Sequence, residues 1–259
     1  MKPECVKIVV FADLDGSLLN ENYEYDQIEP IIYHLLSLNV SIVFTSSKTK
    51  EEIVFYRKQL RINDPFIVEN GSAILIPKNY FEINYEYTKQ SLGYNVIELG
   101  TPYVIIREKL IATRNQTNAN IIGFGDLTSE EIAKDSGLSL SLAQLSKKRE
   151  YSEPFKILDG NEKEVLKAIS SKGLCYTRGN RYLHAVGSCD KGKATSILKN
   201  LYLRQFNRIL SIGVGDSEND LTMLKIVDKP FYINKIVDKK TVWKEIDQIA
   251  QEHKKNVSN

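Results

Sequence analysis

The sequence predicts an α/β protein: a doubly wound core around a parallel sheet, Rossmann-like in its winding, interrupted by an inserted α+β cap. Three observations carry this. Strand-like and helix-like segments alternate over the first 80 residues and again after residue 187. Short polar clusters follow the predicted core strands. Between the two stretches the rhythm breaks into closely spaced strands mixed with helices. A βαβαβ order implies parallel strands joined by right-handed crossovers.

Lys7 to Phe11 is a continuous apolar run, as expected of a strand buried on both faces. Ile28, Ile31, Ile32, Leu35 and Leu38 follow at helical spacing, with Pro30 tolerated in the first turn. Val40 to Phe44 reads as the second strand. Thr49 and Glu52 form a T-x-x-E capping box opening a helix that reaches about Leu60, and Phe66 to Val68 is a short third strand. Near the C-terminus Asp190 caps a helix carrying Ala194, Ile197, Leu198 and Leu201. Leu210 to Val214 is a strand, Ser217 to Lys225 a helix, and Phe231 to Ile233 a further strand.

In the middle, strands are predicted at 95–99, 121–124, 155–158, 174–177 and 181–186. Helices are predicted near 103–114, 128–136 and 161–172, and Thr128 with Glu131 repeats the capping box. The expected division is a core of residues 1–83 and 187–259 and a cap of residues 84–186.

Composition is that of an ordinary globular chain, 42% hydrophobic and 26% charged, able to bury a sizeable core. A net charge of +2 gives no broad basic field for nucleic acid or anionic lipid. No apolar run approaches the ~20 residues that cross a bilayer, and no signal-peptide order is seen at the N-terminus. Cys5, Cys175 and Cys189 are an odd, scattered set without C-x-x-C spacing, which fits a reducing compartment and a cytoplasmic location.

Ligands of open parallel sheets sit beyond the carboxyl ends of the strands, and four polar clusters fall there or at a neighbouring helix start. Asp13-Leu-Asp15-Gly-Ser17 follows the first strand. Two aspartates one residue apart in extended chain project to the same side. One can attack a phosphorus centre whose oxyanions a metal ion holds, while the other protonates the leaving oxygen and then activates water. Alone, D-x-D-G is equally well a solvated turn. Thr45-Ser46-Ser47-Lys48 follows the second strand, where hydroxyls and backbone N–H groups can hold phosphate oxygens or simply cap a helix. Asp190-Lys191-Gly192-Lys193 puts an ammonium at a helix start, where it could offset crowded negative charge or face solvent. Gly213-Val-Gly215-Asp216-Ser-Glu-Asn219-Asp220 follows the later strand. Asp216 and Asp220 are four apart on the predicted helix, hence on one face, and such hard oxygen ligands suit Mg²⁺.

In order and spacing the four clusters together resemble the haloacid dehalogenase superfamily of phosphotransferases. The resemblance implies Asp13 as nucleophile and Asp15 as general acid/base, with Ser46 holding the phosphoryl group and Lys191 stabilising charge. It implies Mg²⁺ bound by Asp13, Asp216 and the Asp15 carbonyl, with Asn219 and Asp220 orienting that shell. Ser17 stands where Thr is commoner, and both keep the hydroxyl. Ser46-Ser-Lys-Thr49, Phe66-Ile-Val-Glu-Asn-Gly-Ser72, Gly123-Phe-Gly-Asp-Leu-Thr128, Arg149-Glu-Tyr-Ser-Glu153 and Gly179-Asn-Arg-Tyr182 are similar to the mannosyl-3-phosphoglycerate phosphatases over most of the chain. That narrower resemblance implies a phosphorylated sugar-glycerate substrate; the expected assembly is a monomer or homodimer. Lys48, Arg149 and Arg181 are then expected to hold its anionic groups, and Asp126 and Glu150 to accept from sugar hydroxyls. Glucosyl-3-phosphoglycerate as substrate, a phosphosugar mutase and a non-enzymatic sugar-phosphate sensor are the alternatives. His184, in an apolar strand, reads as a core histidine.

Overall fold

Residues 6–179 and 181–258 are described by a computed structural model; Cys5 and Asn180 lie outside the described residues. The chain opens with β1 (Lys7–Ala12), α1 (Glu29–Ser37), β2 (Ser41–Phe44), α2 (Lys50–Gln59) and β3 (Phe66–Val68). It continues through β4 (Ala73–Pro77), β5 (Lys89–Ser91) and β6 (Tyr94–Glu98). A central segment holds α3 (Tyr103–Thr117), β7 (Asn120–Gly123), α4 (Ser129–Ser136), α5 (Leu140–Ser146), β8 (Ser152–Asp159), α6 (Glu162–Ser171), β9 (Cys175–Arg178) and β10 (Leu183–Val186). The return consists of α7 (Lys191–Phe206), β11 (Ile209–Gly215), α8 (Leu221–Leu224), β12 (Lys229–Tyr232) and α9 (Lys239–Ser258).

The core sheet runs β12-β11-β1-β2 and is parallel throughout. A further parallel bridge joins Thr45 to Ile67, which sets β3 beside the end of β2. Side chains alternate across β1 and β2. Val10, Ala12, Ile42 and Phe44 pack with α1, α2 and α9, while Val9, Phe11 and Val43 pack with α7 and α8. Both faces are therefore covered, which is why these strands read as unbroken apolar runs.

The sheets divide later than the expected boundary at residue 84. Residues 94–98 pair with β4, and residues 89–91 pair with β6, in an antiparallel sheet ordered β3-β4-β6-β5, built outward from core strand β3. The cap sheet, β7-β8-β10-β9, is antiparallel and draws its strands from residues 120–186. Ile106 and Leu110 of α3 and Val165 and Ile169 of α6 cover one of its faces, against Phe155, Leu183 and Ala185. The opposite face, carrying Pro154 and His184, turns to the cavity described below.

Both predicted capping boxes form: the Thr49 hydroxyl accepts from Glu52 N and the Thr128 hydroxyl from Glu131 N. Asp190 caps α7 by accepting from Lys193 N. The predicted helix at 217–225 begins instead as a 3₁₀ turn, Glu218–Asp220, with only Leu221–Leu224 in α geometry. α9 is not among the elements expected from the sequence, although Val242, Trp243, Ile246, Ile249 and Ala250 give it a buried stripe. Among the described residues no helix is long and apolar enough to cross a membrane.

Candidate active site

The site sits at the carboxyl rim of the core sheet. The Asp13 N–H donates to Val214 O and the Thr45 N–H to Ala12 O, so the residues following β1, β2 and β11 are laced together by backbone bonds. Gly16, at φ 80°, turns the chain away from the sheet; a Cβ there would stand 2.0 Å from Asp216 Oδ2. Glycine is therefore required both for the left-handed backbone and for the approach of the two loops.

Lys191, at the first turn of α7, has its Nζ 2.6 Å from Asp13 Oδ1 and 2.6 Å from Asp220 Oδ1, with 1% of its side chain exposed. Burial works against this ammonium, but the two carboxylates outweigh it and hold its pKa above the ordinary lysine value. The other oxygen of Asp220 accepts from Asp216 N (3.1 Å), Ser217 N (3.0 Å) and the Ser217 hydroxyl (2.9 Å). Asp216 and Asp220 thus meet by a capping loop and not, as the spacing suggests, on one helical face. The Asn219 amide donates to Asn70 Oδ1 at 2.9 Å, tying this loop to the turn after β3.

Carboxylate oxygens of Asp13, Asp216 and Asp220 lie within 4.8 Å of one another. Burial pushes the Asp13 carboxyl well up; Lys191 opposes this, and Asp220, Asp216 and Asp15 reinforce it. Crowded, partly buried carboxylates of this kind fit a hard divalent cation, whose charge would relieve their repulsion. Asp15 stands outside this trio. Its Oδ1 is 2.9 Å from Lys48 Nζ, and Lys48 also stands 3.7 Å from Glu52. Burial opposes the Lys48 ammonium, while Asp15 and Glu52 raise its pKa above the ordinary value.

Above these groups opens a cavity of about 680 Å³ between the core rim and the cap. Asp13, Asp15 and Asp216 line its floor, and Lys48, Arg149 and Arg181 stand among its walls. Arg149 donates from Nη1 to Ser47 O at 2.6 Å and from Nε to Ser146 O at 2.9 Å. Arg181 donates to Ser136 O, which also accepts from the Tyr23 hydroxyl at 2.9 Å. Tyr23 lies between two cations, 5.0 Å from Lys48 Nζ and 5.5 Å from Arg181 Cζ, measured to its ring centroid.

Two expected residues are not brought to the cavity. The Asp126 carboxylate is held by Arg107 and Arg114, each at 2.6 Å, and by the Gly123 N–H. Burial pushes that carboxyl up, but the Arg107 hydrogen bond and its companions bring it down to about 2. Glu150 borders a separate, smaller pocket, 3.5 Å from Lys89. Two cations of the chain already hold Asp126, while Glu150 points to a half-exposed site away from the cavity.

Ser46 is fully buried, and its hydroxyl accepts the Lys48 N–H at 3.3 Å. Its neighbour Thr45, given no role of its own in the sequence, is equally buried, and its hydroxyl has no partner among the described residues. His184 is buried, 6% exposed, as a core histidine would be, but it lines the cavity and its Nδ1 has no hydrogen-bond partner among the described residues. Glu69 joins two of the motifs quoted above. Its carboxylate accepts from Glu150 N (2.9 Å), Tyr151 N (3.1 Å) and the Ser152 hydroxyl (2.7 Å). The signal for Glu69 lies in the quoted segment Phe66–Ser72 itself, but its contacts span more than 80 residues; His184 lies outside the quoted segments, two residues beyond Tyr182.

A family model described as haloacid dehalogenase-like hydrolase matches residues 10–253. The chain is 42% identical over 233 residues to a glucosyl-3-phosphoglycerate/mannosyl-3-phosphoglycerate phosphatase of Methanococcoides burtonii, covering 89% of this chain and 86% of that one. It is 40% identical over 232 residues to a mannosyl-3-phosphoglycerate phosphatase of Pyrococcus horikoshii, covering 90% and 93%. A solved structure from Thermoplasma acidophilum superposes with a TM-score of 0.65 at 19% identity, over 96% of this chain and 99% of that one.

Proposed function

Because the chain belongs to the haloacid dehalogenase-like hydrolases, we propose that its acidic rim hydrolyses the phosphomonoester of a glycosyl-3-phosphoglycerate, mannosyl or glucosyl, to glycosylglycerate and phosphate. The observation that carries this is the union of floor and walls. Asp13 and Asp15 face a cavity flanked by three cations, Lys48, Arg149 and Arg181. A substrate bearing a phosphate, a carboxylate and sugar hydroxyls matches that charge pattern.

Asp13, held by Lys191, is placed to attack phosphorus. The bond from phosphorus to the glycerate oxygen breaks, and that oxygen takes a proton from Asp15. Asp15 then accepts a proton from water as the water attacks phosphorus; the bond to Asp13 breaks, releasing phosphate and restoring the carboxylate. Asp13 and Asp216, with the Asp15 carbonyl, would hold Mg²⁺, while Asp220 fixes Lys191 and the Asp216 loop. Bound there, the cation supplies charge neutralisation that lets one anion approach another. Arg149 and Arg181 orient the carboxylate end, and the cap excludes water.

The test is phosphate release from mannosyl- and glucosyl-3-phosphoglycerate in parallel, with sucrose phosphate, trehalose phosphate and p-nitrophenyl phosphate as controls. At least ~100-fold preference in kcat/KM for a glycosyl-3-phosphoglycerate is expected, a margin that several cation and hydroxyl contacts can supply. Equal rates across the panel refute the substrate; isomerised sugar phosphate without free phosphate refutes hydrolysis. The relatives of M. burtonii and Persephonella marina, whose names carry both sugars, favour dual specificity.

A further inference from the structure

His184 is a buried, titratable group on the cap wall of the cavity that makes no ion pair among the described residues. It lies on β10 between Leu183 and Ala185, both packed into the cap core, so strand alternation sends its ring to the opposite face, toward the cavity. Its cross-strand partner on β8 is Pro154, which has no N–H to offer. The ring is 6% exposed, and among the described residues its buried Nδ1 has no hydrogen-bond partner. The other nitrogen, Nε2, lies toward Gly179; a Cβ at that glycine would stand 3.4 Å from it, and both residues line the cavity. Glycine there leaves the Nε2 end uncrowded.

The ring's protonation follows from its surroundings. Burial lowers the His184 pKa to about 3, and the positive charges of Arg149 and Lys191 act in the same direction. At neutral pH the imidazole is therefore uncharged, with one N–H. An unpaired N–H is a costlier thing to bury than an unpaired lone pair on a nitrogen. The proton accordingly sits on Nε2, at the cavity end, and Nδ1 carries the lone pair.

We propose that His184 is a specificity-determining residue whose Nε2–H donates to a hydroxyl oxygen of the substrate's sugar. The choice of a hydroxyl follows from the division of charge around the cavity. Arg149 and Arg181 supply cations for a carboxylate, whereas an imidazole without charge adds nothing to anion selection and discriminates by hydrogen bonding. The inference rests on the reading of the site as a glycosyl-3-phosphoglycerate phosphatase and goes beyond it by naming a group that reads the sugar.

The experiment compares wild type, His184→Phe, His184→Ala and His184→Gln at pH 7.5 with Mg²⁺. The substrates are mannosyl-3-phosphoglycerate, glucosyl-3-phosphoglycerate, 3-phosphoglycerate and p-nitrophenyl phosphate, and melting temperatures are recorded alongside. Loss of one neutral hydrogen bond in a water-excluded site predicts a ~10–100-fold fall in kcat/KM of His184→Phe on the preferred glycosylated substrate. Rates on 3-phosphoglycerate and p-nitrophenyl phosphate should stay within about twofold. His184→Gln, whose side-chain amide can donate from a similar position, should recover most of the loss. His184→Ala gives the same comparison if the phenyl ring prevents folding. An equal fall on all four substrates, or none on the glycosylated ones, overturns the proposal. An equal fall on 3-phosphoglycerate and the glycosylated substrates, sparing p-nitrophenyl phosphate, assigns the ring to the carboxylate and overturns it too. Failure of the parent reading looks different: wild type itself then shows no preference for glycosyl-3-phosphoglycerates.

Discussion

The ammonium of Lys48 stands 2.9 Å from a carboxylate oxygen of Asp15, and 5% of the lysine side chain is exposed. The residue expected to hold substrate instead stands against the carboxylate proposed as general acid/base in this structure. The two roles differ in kinetics. If Lys48 positions Asp15, Lys48→Met should lower kcat by ~10–100-fold on every phosphomonoester, the usual worth of a positioned proton-transfer group. If Lys48 binds the substrate's carboxylate, only glycosylated substrates should suffer, through KM. The geometry predicts the first pattern, and steady-state rates on p-nitrophenyl phosphate and a glycosyl-3-phosphoglycerate decide it.

Asp13→Asn removes the proposed nucleophile but keeps its shape beside Lys191. Turnover should fall by at least ~10⁴-fold with the far-UV dichroism spectrum unchanged, since an amide cannot form the acyl phosphate. Binding of the cation can be read without turnover. A ligand at 100 times its Kd stabilises the folded state by ~2.7 kcal/mol, so Mg²⁺ should raise the wild-type melting temperature by several degrees. In Asp216→Asn that rise should largely vanish. A rise of equal size in both proteins would place the cation elsewhere.

Much of this site is legible in the chain because its chemistry is local. Asp13, Asp15, Asp216 and Asp220 each lie within a few residues of an apolar strand end, and the parallel sheet carries those ends to one rim. The capping boxes at Thr49 and Thr128 are likewise written within four residues. Contacts between segments distant in sequence are not written that way. Nothing near Asp126 indicates that Arg107 and Arg114, 19 and 12 residues earlier, claim its carboxylate. The strand predicted at 95–99 falls in the expected inserted segment because nothing local reveals that its partner is β4. The left-handed Glu69 and Asn70, at φ 47° and 60°, are likewise invisible in composition, yet they point the Glu69 carboxylate at the segment entering β8.

The hydroxyl that meets the phosphoryl group is open to a direct comparison of neighbours. Along β1 and β2, Phe11 and Val43 share the face packed by α7, and alternation carries that face on to Asp13 and Thr45. Thr45 is buried with an unpartnered hydroxyl, while that of Ser46 is already bonded. Thr45→Val should therefore leave stability nearly unchanged, because it deletes an unpaired buried polar atom, and lower kcat by ~10–100-fold. Ser46→Ala should cost ~1 kcal/mol of stability with a smaller kinetic effect. The reverse order of the two kcat values would assign the role to Ser46.

The buried imidazole of His184 also makes acid stability a measurable property of the cap. Its folded pKa, lowered to about 3 by burial and by Arg149 and Lys191, lies below the ~6.5 of an unfolded histidine. Above pH 6.5 the ring is neutral in both states and the linked stability is intact. As pH falls below ~6.5 the unfolded chain gains a proton that the folded chain refuses, so stability is lost progressively down to pH 3. At pH 5 the loss from this one group is ~2 kcal/mol, at 1.36 kcal/mol per pH unit. His184→Phe has no such proton to gain, so its melting temperature should fall by several degrees less than wild type between pH 7.5 and pH 5. Parallel falls in the two proteins would mean that the ring protonates freely in the folded state, and the neutral donor at the cavity wall would be lost with it.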